Sequence, residues 1–200
     1  MMSHNTKFNV RLKYVGSIAD PSTDKAEAIK HLMVKCDNDF VPPLSFREDT
    51  TRAISDMILH EMDIEPYFEL ILAQKNIIAY HENEVIAFLT FQNNFTNHSY
   101  FPTKANENDI INYISTIIVD KEFRRLHVAS KLYDFIEQLL PNDMLSQCVA
   151  TRTWSTNESH IKLLDKRGYE LTCTMHKDRT TAVGKLDSFY FCKRISVNQS

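Results

Sequence analysis

The chain is 200 residues long, 43% hydrophobic and 24% charged, with a net charge of −3. That make-up suits one globular domain with room for a proper core, and it argues against a nucleic-acid protein, which would be basic. No apolar run approaches the roughly 18 residues that span a membrane. The N-terminus MMSHNTKFNV lacks the apolar segment of a signal peptide. Cys36, Cys148, Cys173 and Cys192 are too dispersed for a zinc cluster or a small disulfide scaffold, so reduced thiols, no metal and a cytoplasmic location are expected. The charge is uneven. Residues 1–110 hold 16 acidic and 10 basic side chains, whereas residues 111–200 hold 10 and 13. The second half suits an anionic ligand, and the first half a cationic partner.

In chain order, residues 1–6 read as a loose tail. Phe8 to Ile18 alternates apolar and polar positions and predicts a strand. Asp20-Pro21-Ser22-Thr23-Asp24 is a helix entry, and Ala26 to Lys35 continues as helix until Val41-Pro42-Pro43 breaks it. A second helix is expected over Arg52 to Met62, followed by a short apolar segment from Pro66 to about Ala73. Ile77 to Tyr80 and Val85 to Phe91, around His81-Glu82-Asn83-Glu84, predict a hairpin. Gln92 to Asn108 is asparagine-rich and without pattern; it reads as an exposed loop whose length makes it a functional suspect.

The most informative stretch runs from Tyr113 to Leu140. Ile114, Ile117, Ile118 and Val119 form a β-branched run of strand length. Asp120-Lys121-Glu122 interrupts it, and Arg124 and Arg125 follow in the turn. Val128, Ala129, Leu132, Phe135, Ile136 and Leu139 then recur at helical spacing. A helix start has unpartnered N–H groups and a positive dipole end, so this turn is a candidate phosphate site. Pro141-Asn142-Asp143 ends that helix, and Leu145 to Arg152 predicts a strand. Asn157 to Lys166 predicts a helix stopped by Gly168, and Asn157 is a good N-cap by itself. Tyr169 to Met175 and Leu186 to Ile195 are closing strands, and residues 196–200 are a tail. A doubly wound dinucleotide fold needs a glycine-rich first turn, and Gly16, Gly168 and Gly184 supply none.

Two motifs carry a family resemblance. Arg124, His127 and Ala129 take the first, fourth and sixth places of Q/R-x-x-G-x-G/A, with histidine where glycine is usual. Asn157, Leu163, Lys166, Gly168 and Tyr169 fit N-x-x-A-x-x-L-Y-x-K-x-G-F, with His160 in place of the small residue and Leu164 in place of the tyrosine. With the order of elements, these segments resemble the GNAT (GCN5-related) N-acetyltransferases over nearly the whole chain. The run Asp178-Arg179 and Leu186 to Phe191 resembles the closing segment of small-substrate members. The resemblance implies an α/β (α+β) fold: a mixed, largely antiparallel sheet flanked by helices on both faces, in a single domain over residues 7–195.

It also implies acetyl-CoA as co-substrate, held by Ile117, Ile118, Val119, Arg124, Arg125, Leu126, His127, Val128, Ala129, Ser130 and Asn157. Splaying of the central strand would leave N–H groups near Ile118 for the thioester carbonyl. Asn157 and Tyr113 are the catalytic candidates. Tyr113, His98 and Glu122 are candidate bases; Tyr133, Ser159, His160 and Tyr169 could replace the acid lost at Leu164. Direct transfer to the amine of a small molecule in a ternary complex is the expected reaction, without nucleic acid or membrane, and a homodimer is compatible with it. A non-catalytic acetyl-CoA-binding module and a protein N-acetyltransferase remain open alternatives. His127 has two readings: a helical backbone with negative φ that tolerates a β-carbon, or an imidazolium that touches the phosphate.

Overall fold

The computed structural model describes residues 8–40, 43–46, 64–101, 105, 109–140, 147–181 and 184–195. The helix expected over Arg52 to Met62, the break at Val41-Pro42, the stop at Pro141-Asn142-Asp143 and both tails lie outside these residues. Seven strands form one sheet: β1 (Arg11–Gly16), β2 (Lys75–His81), β3 (Glu84–Gln92), β4 (Ile110–Val119), β5 (Gln147–Trp154), β6 (Glu170–Thr181) and β7 (Gly184–Ile195), in the order β1-β2-β3-β4-β5-β7-β6. Only β4 and β5 are parallel; the other five pairings are antiparallel. This is the mixed, largely antiparallel sheet that the sequence predicts.

Helices cover both faces because their apolar stripes match the two sets of sheet residues. On one face, α1 (Asp24–Cys36) and α2 (Glu65–Ala73) bury Ile29, Met33, Phe68 and Ile71 against Ile78, Phe88 and Ile118. On the other, α3 (Val128–Leu139) and α4 (Glu158–Lys166) bury Leu132, Tyr133, Ile136 and Leu164 against Ile77, Leu89, Ile114 and Val149. Burial of such side chains contributes roughly 1.5–3 kcal/mol each. Among the described residues, no helix is long and apolar enough to cross a membrane.

Ends follow local chemistry. Thr23 caps α1 by accepting the N–H of Ala26. α4 closes in a paired motif, with Gly168 at φ 76° donating to the Asp165 carbonyl and Tyr169 donating to the Leu164 carbonyl.

Two departures from expectation matter. β4 carries an extra residue: Thr90 faces Thr116 but Phe91 faces Ile114, so Ser115 bulges. The bulge switches the alternation of β4, placing Tyr113 and Thr116 on one face and Ile114 and Ile117 on the other. The segment between β3 and β4 exposes most of its described polar residues, as expected, but turns its aromatic ones inward. Phe101 is fully buried, Phe95 stacks on Tyr113 with ring centroids 4.5 Å apart, and Tyr100 stacks on Tyr190 at 4.2 Å. Its aromatic residues, hidden among asparagines, cover a part of the sheet that no described helix reaches. Phe101→Ala should therefore cost about 3–5 kcal/mol in urea unfolding; a change within about 0.5 kcal/mol would mean an exposed ring after all.

Candidate active site

β4 and β5 pair from Ile110–Gln147 only as far as Ile114–Thr151, although both strands run on to Val119 and Trp154. Beyond that point β4 stays with β3 up to Val119, and β5 stays with β7 up to Trp154. The two central strands thus diverge. The gap opens into a groove of about 1030 Å³ that crosses the sheet from the α3–α4 face to the α1–α2 face. On the β5 side, the backbone groups of Ser115 to Val119 have no strand partner.

At the α3 end, the turn after β4 forms a concave backbone. Asp120 accepts the N–H of Glu122 and starts a 3-10 turn over Lys121–Phe123. Arg125 and His127 then both adopt left-handed backbone, at φ 64° and 60°. The first helical bond of α3 runs from the Lys131 N–H to the His127 carbonyl, which leaves the N–H groups of Val128, Ala129 and Ser130 without helical partners. Such alternation before a helix start turns several N–H groups toward one anion.

Side chains divide the labour around this turn. Arg124 is tied down: it donates to Asp39 at 2.5 Å and to the Val119 carbonyl at 3.0 Å. Burial tends to raise the Asp39 pKa, but the bonds from Arg124 and Lys121 outweigh it and hold the carboxyl below its usual range. Arg125, without an ion pair among the described residues, lines the groove. His127 lies outside the helix, as its N-cap, with positive φ. That overturns the expectation of a helical position; the family's glycine is understandable here as the residue that adopts this backbone without strain.

Across the gap, Asn157 caps α4, accepting the His160 N–H at 3.3 Å and the Ser159 hydroxyl at 3.2 Å, and it also lines the groove. His160 lines it too, and its Nε2 lies 2.7 Å from the phenol oxygen of buried Tyr133. Burial pushes the His160 pKa down to about 4, so the imidazole is neutral. On the far side of the gap, the Ser115 hydroxyl donates to Gln74 Oε1 at 2.5 Å, and Tyr67 bonds Thr116.

Of the residues expected to bind or react, Ile117, Val119, Arg124, Arg125, His127, Val128, Ala129, Ser130, Asn157 and Tyr113 line the groove. Two do not. Ile118 sends its side chain into the α1–α2 core, leaving only its backbone for any role, and Leu126 points to solvent, 41% exposed. Leu164 is wholly buried in the core. Among the candidate bases, Tyr113 is poorly suited, because burial raises its pKa more than nearby Arg152 lowers it. His98 and Glu122 are not in the groove wall, and Glu122 faces Lys35 at 3.7 Å. Sequence reading missed Gln74, Ser115 and Arg152, which no motif marks. Of the acidic residues of the first half, Asp39 alone is found among the described lining residues.

Two consequences can be measured. A non-glycine residue in left-handed backbone costs about 1–2 kcal/mol, so His127→Gly should stabilise the fold by about 1 kcal/mol in urea unfolding. For His160, the folded pKa lies below the unfolded value of about 6.5, so the unfolded state binds the extra proton. Its contribution is fully present above pH 6.5 and is lost as pH falls toward 4, by roughly 3 kcal/mol at most. His160→Gln should lack this component when acid unfolding curves are compared.

Comparison with known proteins agrees with this geometry. The family model described as acetyltransferase (GNAT) family matches residues 44–169. No curated protein matches the chain in sequence. Among solved structures, NAA60 of Arabidopsis thaliana in complex with acetyl-CoA superposes with a TM-score of 0.62 at 14% identity, covering 94% of this chain and 99% of that one. An N-acetyltransferase from Staphylococcus aureus Mu50 gives 0.61 at 15%, covering 94% and 99%. The ribosomal-protein-S18-alanine N-acetyltransferase of Escherichia coli gives 0.58 at 11%, covering 94% and 95%.

Proposed function

The chain belongs to the acetyltransferase (GNAT) family, and we propose that it transfers an acetyl group from acetyl-CoA directly to the amine of a small molecule bound in the same groove. The observation that carries this reading is the gap between β4 and β5, with an anion cradle on one face and a second compartment on the other. The residues present fit acetyl-CoA. The left-handed turn at Arg125 and His127 and the first N–H groups of α3 suit a pyrophosphate, with Arg125 as counter-charge. Asn157 keeps its side-chain N–H₂ for the pantetheine arm while its oxygen caps α4.

Acetyl-CoA supplies an activated acetyl group as a thioester. The chain's part is to place its carbonyl oxygen against the unpaired β4 backbone beside the Ser115 bulge. A preorganised N–H there stabilises developing negative charge by roughly 3–4 kcal/mol. Proton handling is spare. No carboxylate lines the acceptor side of the gap among the described residues, and His160, with a pKa near 4, is too weak a base to serve. The amine must therefore arrive neutral. As it becomes an amide it sheds a proton, which the departing thiolate can take, because a thiol has a pKa near 8.5. A dedicated acid at Leu164 is then dispensable. The Tyr133–His160 pair serves to fix the imidazole in the groove wall.

Free thiols at Cys36, Cys148, Cys173 and Cys192 support a cytoplasmic setting for this reaction.

Acetyl-CoA should raise the melting temperature, since it binds only the folded state, and thiol release should appear with an amine panel. A thermal shift without release from any amine would leave only a binding module; no shift at millimolar acetyl-CoA would remove the co-substrate. Arg125→Ala should weaken binding about tenfold, or 1.4 kcal/mol, with a smaller effect at high salt. The pH dependence of kcat/KM should follow the pKa of the amine itself, without an enzyme base near pH 6–7.

A further inference from the structure

Beyond the gap, the groove continues over the face that carries α2 and the aromatic segment between β3 and β4. Arg152 and Arg179 both line this end, together with Tyr113 and Trp154, and no carboxylate does so among the described residues. Asp39 is at the opposite end, committed to Arg124 and Lys121.

Arg152 is a built feature of the wall. It lies directly across from Tyr190 in the β5–β7 register. Its guanidinium stacks 4.8 Å over the Trp154 ring, with one nitrogen 3.7 Å from Asp178. Stacking fixes the plane of the group and leaves its edge to meet a ligand. Asp178 stands behind it, holding the Ser188 hydroxyl, and is not part of the groove wall. Arg179 reaches the same end through an irregularity in β6. Met175 faces Ser188 and Arg179 faces Leu186, so β6 spends four steps where β7 spends two. The extra residues loop out at Lys177, with φ 54°, and Asp187 pins them by accepting the Lys177 N–H at 2.8 Å. This detour puts Asp178 behind Arg152 and Arg179 in the groove.

Two guanidiniums with aromatic walls are a receptor for an oxyanion, which a planar fork can grip by two parallel bonds. A second ammonium on the acceptor would instead meet like charge in a half-buried site, a cost that rejects wrong partners. We infer that the acceptor is an anionic amine, one that carries a carboxylate or phosphonate beside its amino group, held by Arg152 and Arg179. This rests on the acetyl-transfer reading above and narrows it to one chemical class. It also reverses the expectation of a cationic partner that the acidic first half of the sequence suggests.

The test compares thiol release from acetyl-CoA with an α-amino acid, its primary amide, an aminoalkylphosphonate of equal length and an alkyl diamine. The amide has the less basic amine, so intrinsic reactivity favours it. If the inference holds, kcat/KM for the acid or the phosphonate exceeds that for the amide at least about tenfold, equal to 1.4 kcal/mol. The preferred oxyanion identifies the group. Arg179→Gln and Arg152→Lys, each checked for an unchanged melting curve, should pull this ratio toward one, chiefly by raising KM for the anionic amine. Equal or better use of the amide or the diamine by the wild-type protein overturns the inference while leaving acetyl transfer intact. A ratio unmoved by both variants also overturns it. No thermal shift with acetyl-CoA and no release from any amine removes the acetyl-transfer reading, and this one with it.

Discussion

The parallel contact between β4 and β5 stops at Ile114–Thr151, well short of the ends of both strands, and the site depends on that loss. It is affordable because each strand keeps its other neighbour: β4 follows β3 to Ala87–Val119 and β5 follows β7 to Trp154–Ser188. Backbone groups facing the gap therefore lose one partner while the strands stay anchored. Unpaired backbone groups are costly in a dry interior, so the gap must hold solvent or ligand. The Ser115 bulge sharpens the divergence and resets which residues face each helix layer. One extra residue thus brings Tyr113 and Thr116 to one face and leaves Ile117 on the other.

Charge is sorted along the groove by contacts that secondary structure alone does not produce. Asp39, at the end of α1, pairs with Arg124 and Lys121 beside the anion cradle, whereas Arg125 there has no ion pair among the described residues. His160 is kept neutral by burial against Tyr133. At the other end the β6 detour places Asp178 behind Arg152 rather than in the groove. The result is a passage with a positive character at both mouths and a nearly uncharged middle, where a thioester carbonyl meets an amine.

Strain marks the same region. Arg125 and His127 both hold left-handed backbone, and each costs about 1–3 kcal/mol. Well-packed elements on either side sustain it: β4 is buried in the sheet, and α3 is anchored by Val128, Leu132, Tyr133 and Ile136.

Much of this was legible in the sequence because its causes are local. The β-branched run before Asp120, the three- and four-residue spacing after Val128, the cap at Asn157 and the stop at Gly168 follow from neighbouring residues. They delimit β4, α3 and α4 and carry the family resemblance. Mixed strand order was readable too, since a hairpin and paired closing strands cannot make an all-parallel sheet. What tertiary structure alone decided are relations between residues distant in the chain. The Ser115 bulge exists only relative to β3, and the burial of Phe101 only relative to Tyr190. The sign of φ at His127 depends on how α3 docks. Arg152 and Arg179 become one feature because β5 and β6 flank β7 and an irregular register turns the second arginine inward. Net charge by sequence half is silent on this, because electrostatics follows distance in space, and among the described acidic residues of the first half Asp39 alone lines the groove.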